Sequence, residues 1–199
     1  MKVVLASSSD IAQPILEALI HSQHQLVAAI SMPDKPTGRG RQIQPNSFSM
    51  LCERSGVHVF KPENHIELRE ILRELDPDLV ITIAYGRLIK LMELSLPKHG
   101  WLNVHFSLLP RWRGAAPVQR AILQGDSETG ISIFRLEEGM DTGPVYASHR
   151  VSLKGNETYG SLLNELSLLA APVMLTVLAQ IENGDSPIPQ NEDGATLAP

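Results

Sequence analysis

The sequence predicts an α/β domain: a three-layer, Rossmann-like, doubly wound and mostly parallel sheet, with a mixed or antiparallel strand pair toward its C-terminal end. Three observations predict it. Through the first two-thirds of the chain, short β-rich runs alternate with helical patterns, the order expected of parallel strands joined by crossover helices. Asp78 to Ala84, DLVITIA, is apolar almost without interruption, as in a strand covered on both faces. From Gly130 onward two strand-like runs lie close together in sequence, which suits antiparallel neighbours.

The elements follow in order. Val3 to Leu5 is a buried strand, Ile11 to Ile20 a helix and Gln25 to Ser31 a second strand. Met32 to Pro45 has no periodicity. Ser47 to Ser55 reads as a helix and Val57 to Phe60 as a short strand. His65 to Leu75 is helical, with Ile66, Ile71, Leu72 and Leu75 near one face. Gly100 to His105 is a strand, and Gly130 to Leu136 and Pro144 to Val151 are the later pair. Glu157 to Ile181 is a long amphipathic helix that Pro172 should kink or split. Residues 185–199, rich in Pro, Gly and acids, read as a linker or ragged end, leaving residues 1–184 as the folded domain.

Composition narrows the class. Hydrophobic residues make up 43% and charged residues 20%, ordinary for a globular protein able to bury a core without staples. Cys52 is the single cysteine, so no internal disulfide can form, and its helix-like setting suits a buried structural thiol better than a reactive one. The N-terminal apolar run is too short for a signal peptide, and no later stretch approaches the roughly 20 apolar residues of a membrane span. A soluble, cytoplasmic monomer is expected. The net charge of −5 argues against nucleic acid as a partner, except that the cations cluster.

An opening strand, turn and helix invite a dinucleotide site. The turn here, Ala6-Ser7-Ser8-Ser9-Asp10, lacks the glycines that let a backbone approach a pyrophosphate. One of Ser8, Ser9 or Asp10 capping the first helix is the simpler reading.

The segment densest in chemistry runs from Trp101 to Asp126. Asn103 and His105 are two apart on a strand, so they share a face, and the loop beginning at Ser107 sits where open parallel sheets bind ligands. An amide able to donate to an oxyanion beside an imidazole able to shuttle protons, or to donate as imidazolium, suits acyl transfer. Either residue alone is more often structural. Gly139-Met140-Asp141-Thr142-Gly143-Pro144 is a glycine-flanked turn whose carboxylate would orient and charge-stabilise His105 if the two meet; a plain turn aspartate is the alternative. His, Cys and acidic residues show no metal-ligand spacing.

NVHFSLLPRWRGAAPVQRAI, GDSETGISIF and EEGMDTGP, in that order, resemble the signature of the folate-dependent formyltransferase family, and the likeness runs from the first strand to about residue 185. The resemblance implies the formyltransferase fold, 10-formyltetrahydrofolate as formyl donor, no metal, and a reaction centre of Asn103, His105 and Asp141. It implies a folate loop of Ser107, Leu108, Leu109 and Pro110, with Tyr85, Gly86 and Leu88 bordering the pterin pocket. Phe106 stands where the family usually has glycine, and Ser7-Ser8-Ser9 where it usually has Gly-Thr-Pro; neither replaces a catalytic side chain.

The loop at residues 33–40, PDKPTGRG, is similar to the one after the second strand in the branch of that family that formylates methionyl-tRNA. That implies initiator Met-tRNA as partner and a role in translation initiation. Lys35, Arg39, Arg41, Arg111 and Arg113 would form a basic lip for its phosphates. The same resemblance makes residues 185–199 a linker toward a C-terminal β-barrel absent from this chain. Two other functions are weighed: formyl transfer to a sugar-nucleotide amine or another small amine, and a non-catalytic folate- or RNA-binding domain.

Overall fold

The computed structural model describes residues 1–37 and 42–199, and the chain divides into two units, Met1–Trp101 and Leu102–Pro199. The first unit contains β1 (Lys2–Ser7), α1 (Gln13–Ile20), β2 (Gln25–Ile30), β3 (Lys35–Thr37), β4 (Gln42–Gln44), α2 (Ser47–Arg54), β5 (Val59–Phe60), α3 (His65–Leu75), β6 (Leu79–Ile83) and α4 (Leu91–Leu94). Its main strands lie in the order β5-β2-β1-β6 and every pairing is parallel. The chain steps outward from β1 to β2 and β5, then returns to place β6 on the other flank of β1. Right-handed crossovers therefore carry α1 and α2 to one face and α3 to the other, the doubly wound arrangement.

Burial agrees with that winding. Val3, Val4, Leu5 and Ala6 are all wholly buried, and because successive strand residues point to opposite faces, both faces of β1 are covered. All five residues of β6 are buried too, which is why DLVITIA shows no polar alternation.

Local differences from the expected elements have local causes. The first helix begins as a 3-10 turn, Asp10–Ala12, capped by Ser9, before α1 starts at Gln13. Pro14 has no N–H to donate back into that turn and favours the first helical positions. In α3, Asn64 accepts from the backbone N–H groups of Ile66 and Glu67 at 2.9 and 3.1 Å, and Leu68 and Leu72 are the buried pair. Ile66, expected on the inner face, is exposed instead. Met32 to Pro45, expected to be irregular, contains the antiparallel pair β3 and β4, with Lys35 opposite Gln44. All three β4 residues are exposed, so no apolar alternation marked it. The short α4 carries Glu93, a fully buried carboxylate that accepts from Arg69 at 2.9 Å, while the Glu93 carbonyl accepts from the Trp101 indole at 2.8 Å.

The second unit contains β7 (Trp101–His105, entered at Leu102), α5 (Pro117–Gln124), β8 (Glu128–Arg135), β9 (Val145–Ser152) and α6 (Tyr159–Glu182). β7, β8 and β9 pair antiparallel, with Asn103 opposite Phe134 and His105 opposite Ser132. α6 is one continuous helix; Pro172 does not split it. The carbonyl that loses its partner there belongs to Leu168, on the solvent side of the helix, where water can replace the missing N–H. By length and composition α6 is apolar enough to cross a membrane, contrary to the expectation that no stretch approaches one. It is instead the core helix of this unit, burying Leu162, Leu166, Ala170, Met174 and Leu178 and packing on α5, β8 and β9.

Residues 185–199, read from composition as a linker, run along the second unit. Ile188 and Val145 exchange backbone hydrogen bonds of 2.8 Å, Ala198 N–H donates to Arg113 O at 2.7 Å, and Ala198 is wholly buried.

Candidate active site

β7 delivers Asn103 and His105 to one face because Val104 separates them, and the strand ends at His105. Asn103 is half-buried, whereas His105 is 5% exposed, with its ring edge-on to Phe134. Both imidazole nitrogens face polar atoms. Nε2 lies 2.8 Å from the Trp112 carbonyl oxygen and Nδ1 lies 3.5 Å from Asp141 Oδ2. A carbonyl can only accept, so Nε2 carries a proton and donates it. Burial pushes the His105 pKa down, against the upward pull of the Asp141 carboxylate and of the Trp112 carbonyl, and burial prevails. The other ring nitrogen, Nδ1, faces the carboxylate.

Asp141 is held by its turn. Its backbone has φ +52°, a left-handed conformation that aspartate tolerates better than most residues, and its Oδ2 accepts from Gly114 N–H at 2.8 Å. Gly143 closes the turn against β8, where a Cβ would run into the Arg135 carbonyl oxygen. The spacing of glycine around the aspartate thus has a steric cause.

The loop after β7 is stitched to its surroundings. Ser107 Oγ donates to Arg111 O at 2.6 Å. Ser132 Oγ donates to Ser107 O at 2.8 Å and accepts from Leu109 N–H at 3.0 Å, and the Leu109–Pro110 peptide is cis. Leu108 and Leu109 line a cavity of about 410 Å³ together with Arg111, Trp112, Asp126 and Thr129; Asn103, His105 and Asp141 take no part in its wall. In the first unit, the segment after β6 holds the other expected folate residues. Tyr85 is buried with no partner for its hydroxyl among the described residues, and burial pushes that hydroxyl up to about 12. Gly86 is exposed at φ +81°, and Leu88 is 76% exposed. Ser8 of the first turn donates to the carbonyls of Ala84 and Tyr85 at 2.8 and 3.1 Å, so its hydroxyl braces that segment.

The five cations expected to form a basic lip differ in setting. Lys35 is exposed on β3. Arg39 and Arg41 lie outside the described residues. Arg111 is bidentate to Asp126, at 2.9 and 2.6 Å, and stacks over the Trp112 ring at 4.3 Å. Arg113 corrects the expectation: its side chain is 7% exposed and turned inward to Gln190 and Glu192. The inward turn follows from the polar partners that Gln190 and Glu192 offer.

Sequence reasoning missed Trp112, Gly114 and Gln190. Trp112 and Gly114 act through a carbonyl and an amide, groups every residue has, so no side-chain signal marks them.

Comparison with known proteins places these features in context. Residues 1–178 match the family model described as formyl transferase. The chain is 44% identical over 202 aligned residues to the methionyl-tRNA formyltransferase of Salinispora tropica, and the match covers 100% of this chain and 66% of that relative. Among solved structures, phosphoribosylglycinamide formyltransferase from Bacillus halodurans superposes with a TM-score of 0.78 at 21% identity, covering 91% of this chain and 95% of that one. HypX from Aquifex aeolicus in complex with tetrahydrofolic acid gives a TM-score of 0.74 at 20% identity, covering 100% of this chain and 29% of that one. These two structures speak to the fold alone.

Proposed function

The chain belongs to the formyl transferase family, and from that membership we propose that it moves a formyl group from 10-formyltetrahydrofolate to the amino group of methionine on initiator tRNA, with residues 1–184 as the catalytic part. The relative from Salinispora tropica, similar along the whole of this chain, supports the acceptor. The observation that carries the chemistry is the buried His105 ring held between the Trp112 carbonyl and the Asp141 carboxylate at the end of β7.

The residues present fit a folate. Leu88, Leu91 and Met92 expose apolar side chains just beyond β6, a surface suited to a planar heterocycle, and the buried Tyr85 hydroxyl there lacks a partner among the described residues. Ser107, Leu108, Leu109 and Pro110 are proposed as the loop against the rest of the molecule. 10-Formyltetrahydrofolate supplies the formyl carbon and a nitrogen that leaves protonated. Asn103 donates to the formyl oxygen as it gains charge during attack by the amine; one such donor is worth roughly 3 kcal/mol in the barrier. His105 Nδ1 receives the proton that the amine sheds. Asp141 is the more open of the pair, 15% against 5% exposed, so the proton reaches Nδ1 past the carboxylate, which then stabilises the imidazolium. His105 returns that proton to the leaving nitrogen and is neutral again. The peptide-like bond formed and the bond broken balance, and no covalent adduct with the chain is required.

For the tRNA, Lys35, Arg39 and Arg41 are proposed phosphate contacts. Arg111 joins them with the part of its guanidinium that Asp126 leaves open, while Arg113 is spent internally. The test combines the protein with 10-formyltetrahydrofolate and methionyl initiator tRNA and measures formyl-methionyl-tRNA. Asn103→Ala, His105→Ala and Asp141→Ala should each lose about 100-fold or more. Near-full rates in all three would sink the site, and transfer to a nucleotide-linked sugar amine with none to tRNA would sink the acceptor.

A further inference from the structure

Residues 185–199 have no role in the reaction described above, yet one of their side chains reaches the turn that carries Asp141. Gln190 Nε2 donates to the Asp141 carbonyl at 2.8 Å and to the Gly143 carbonyl at 2.7 Å. Its Oε1 accepts from Arg113 Nε at 3.1 Å and Nη2 at 2.8 Å. Both N–H donors and the oxygen are therefore engaged, and the carbonyls on one side with the guanidinium on the other permit a single orientation of the amide. Arg113 immediately precedes Gly114, whose N–H holds Asp141 Oδ2 at 2.8 Å. The Gln190 amide thus joins the two backbone segments that fix the carboxylate: the turn that presents it and the loop that receives it.

We infer that Gln190 is a positioning residue for formyl transfer, acting through Asp141: by clamping the carbonyls of residues 141 and 143 it keeps the carboxylate in register with His105 Nδ1. The inference rests on the proposed roles of Asp141 and His105. Its physical basis is the left-handed backbone of Asp141, φ +52°, which even aspartate adopts at some cost and which contacts from its surroundings hold in place. The Gly114 N–H grips the carboxylate, but the backbone behind it is held from the other side by Gln190.

Two variants separate positioning from simple folding. Gln190→Glu keeps the length and the Arg113 partner but turns an oxygen toward two carbonyl oxygens. Gln190→Met keeps similar bulk and removes both donors. The readouts are kcat and KM for formyl transfer, and the titration of the His105 imidazole followed by NMR without substrates. Loosened geometry should lower kcat by about 10- to 100-fold with KM within about twofold. The His105 midpoint should move down, in the same direction as in Asp141→Asn, and Gln190→Met combined with Asp141→Asn should titrate like Asp141→Asn alone. The inference is overturned if both Gln190 variants titrate like the parent while Asp141→Asn does not, or if the shifts of the two sites add. The titration uses no substrate, so it also separates the two ideas. A parent inactive in formyl transfer but with coupled titrations supports the clamp and removes the reaction. An active parent with uncoupled titrations removes the clamp alone.

Discussion

Replacing Asp141 by Asn removes one charge and little else. The asparagine oxygen can still accept from Gly114 N–H, so the turn keeps that anchor. That same oxygen, standing where Asp141 Oδ2 does, also faces His105 Nδ1, so the ring meets a neutral acceptor in place of a charged one while the Nε2–H bond to Trp112 remains. What disappears is the attraction between carboxylate and imidazolium at 3.5 Å. At an effective dielectric near 20 that attraction is roughly 5 kcal/mol before relaxation. If about 3 kcal/mol of it is felt when the ring is charged in the transition state, kcat falls about 100-fold, since each ~1.4 kcal/mol is tenfold. KM should change little, because the lost interaction develops after substrates bind. The assay is formyl-methionyl-tRNA formation at saturating substrates, paired with NMR titration of His105, whose midpoint should fall further once its upward pull is gone. A kcat within about threefold of the parent, together with an unmoved titration, would refute the reasoning that Asp141 stabilises charge on His105.

Three further perturbations test other parts of the molecule. Folded His105 binds its proton less readily than the unfolded ring, whose ordinary value is 6.5, so the unfolded state takes up more protons as pH falls through and below that range. Stability should therefore decline on acidification there, and the slope of the urea midpoint against pH should be shallower in His105→Gln; an unchanged slope would refute it. Glu93→Ala leaves Arg69 without its fully buried carboxylate and should cost about 3–5 kcal/mol in urea unfolding, and a loss below about 1 kcal/mol would contradict the buried-pair argument. Gly143→Ala drives a Cβ into the Arg135 carbonyl and should displace the turn carrying Asp141, lowering kcat and the melting temperature together; a variant with parental kcat would show that the turn yields without moving the carboxylate.

Much of the fold was legible because its strands bury both faces or one, and burial writes itself into hydropathy. β6 was found from an unbroken apolar run, and α3 was found over its true span because Asn64 supplies a side-chain cap and the pattern after it is helical. β3 and β4 escaped because an antiparallel pair in which β4 is exposed throughout needs no apolar alternation. α5 escaped for a different reason. Pro117 opens it and Gly125 closes it in a left-handed C-cap, yet its eight residues lie inside the motif that drew attention to chemistry rather than to helix signals.

The site divides along the same physical line. Asn103 and His105 could be paired from strand spacing, and the glycines around Asp141 marked a turn. The meeting of His105 with Asp141 depends on a long-range approach of a strand end and a turn that no spacing encodes; the family resemblance supplied it, and the 3.5 Å separation gives it a geometry. Arg113 shows the converse failure. A cation next to glycine in a polar loop looks like a surface charge, but a carboxylate and an amide more than 70 residues away in sequence draw it inward. With that, the cation leaves the surface and joins the support of Asp141. The basic residues near this loop therefore do two jobs that composition cannot separate, and exchanging Arg113 for Lys distinguishes them. If it served phosphates, Lys would retain most of the tRNA affinity. As the planar partner of both Gln190 and Glu192, it should lose kcat through the loosened turn while KM for tRNA stays close to the parent value. A raised KM for tRNA with an unchanged kcat would return Arg113 to the binding surface.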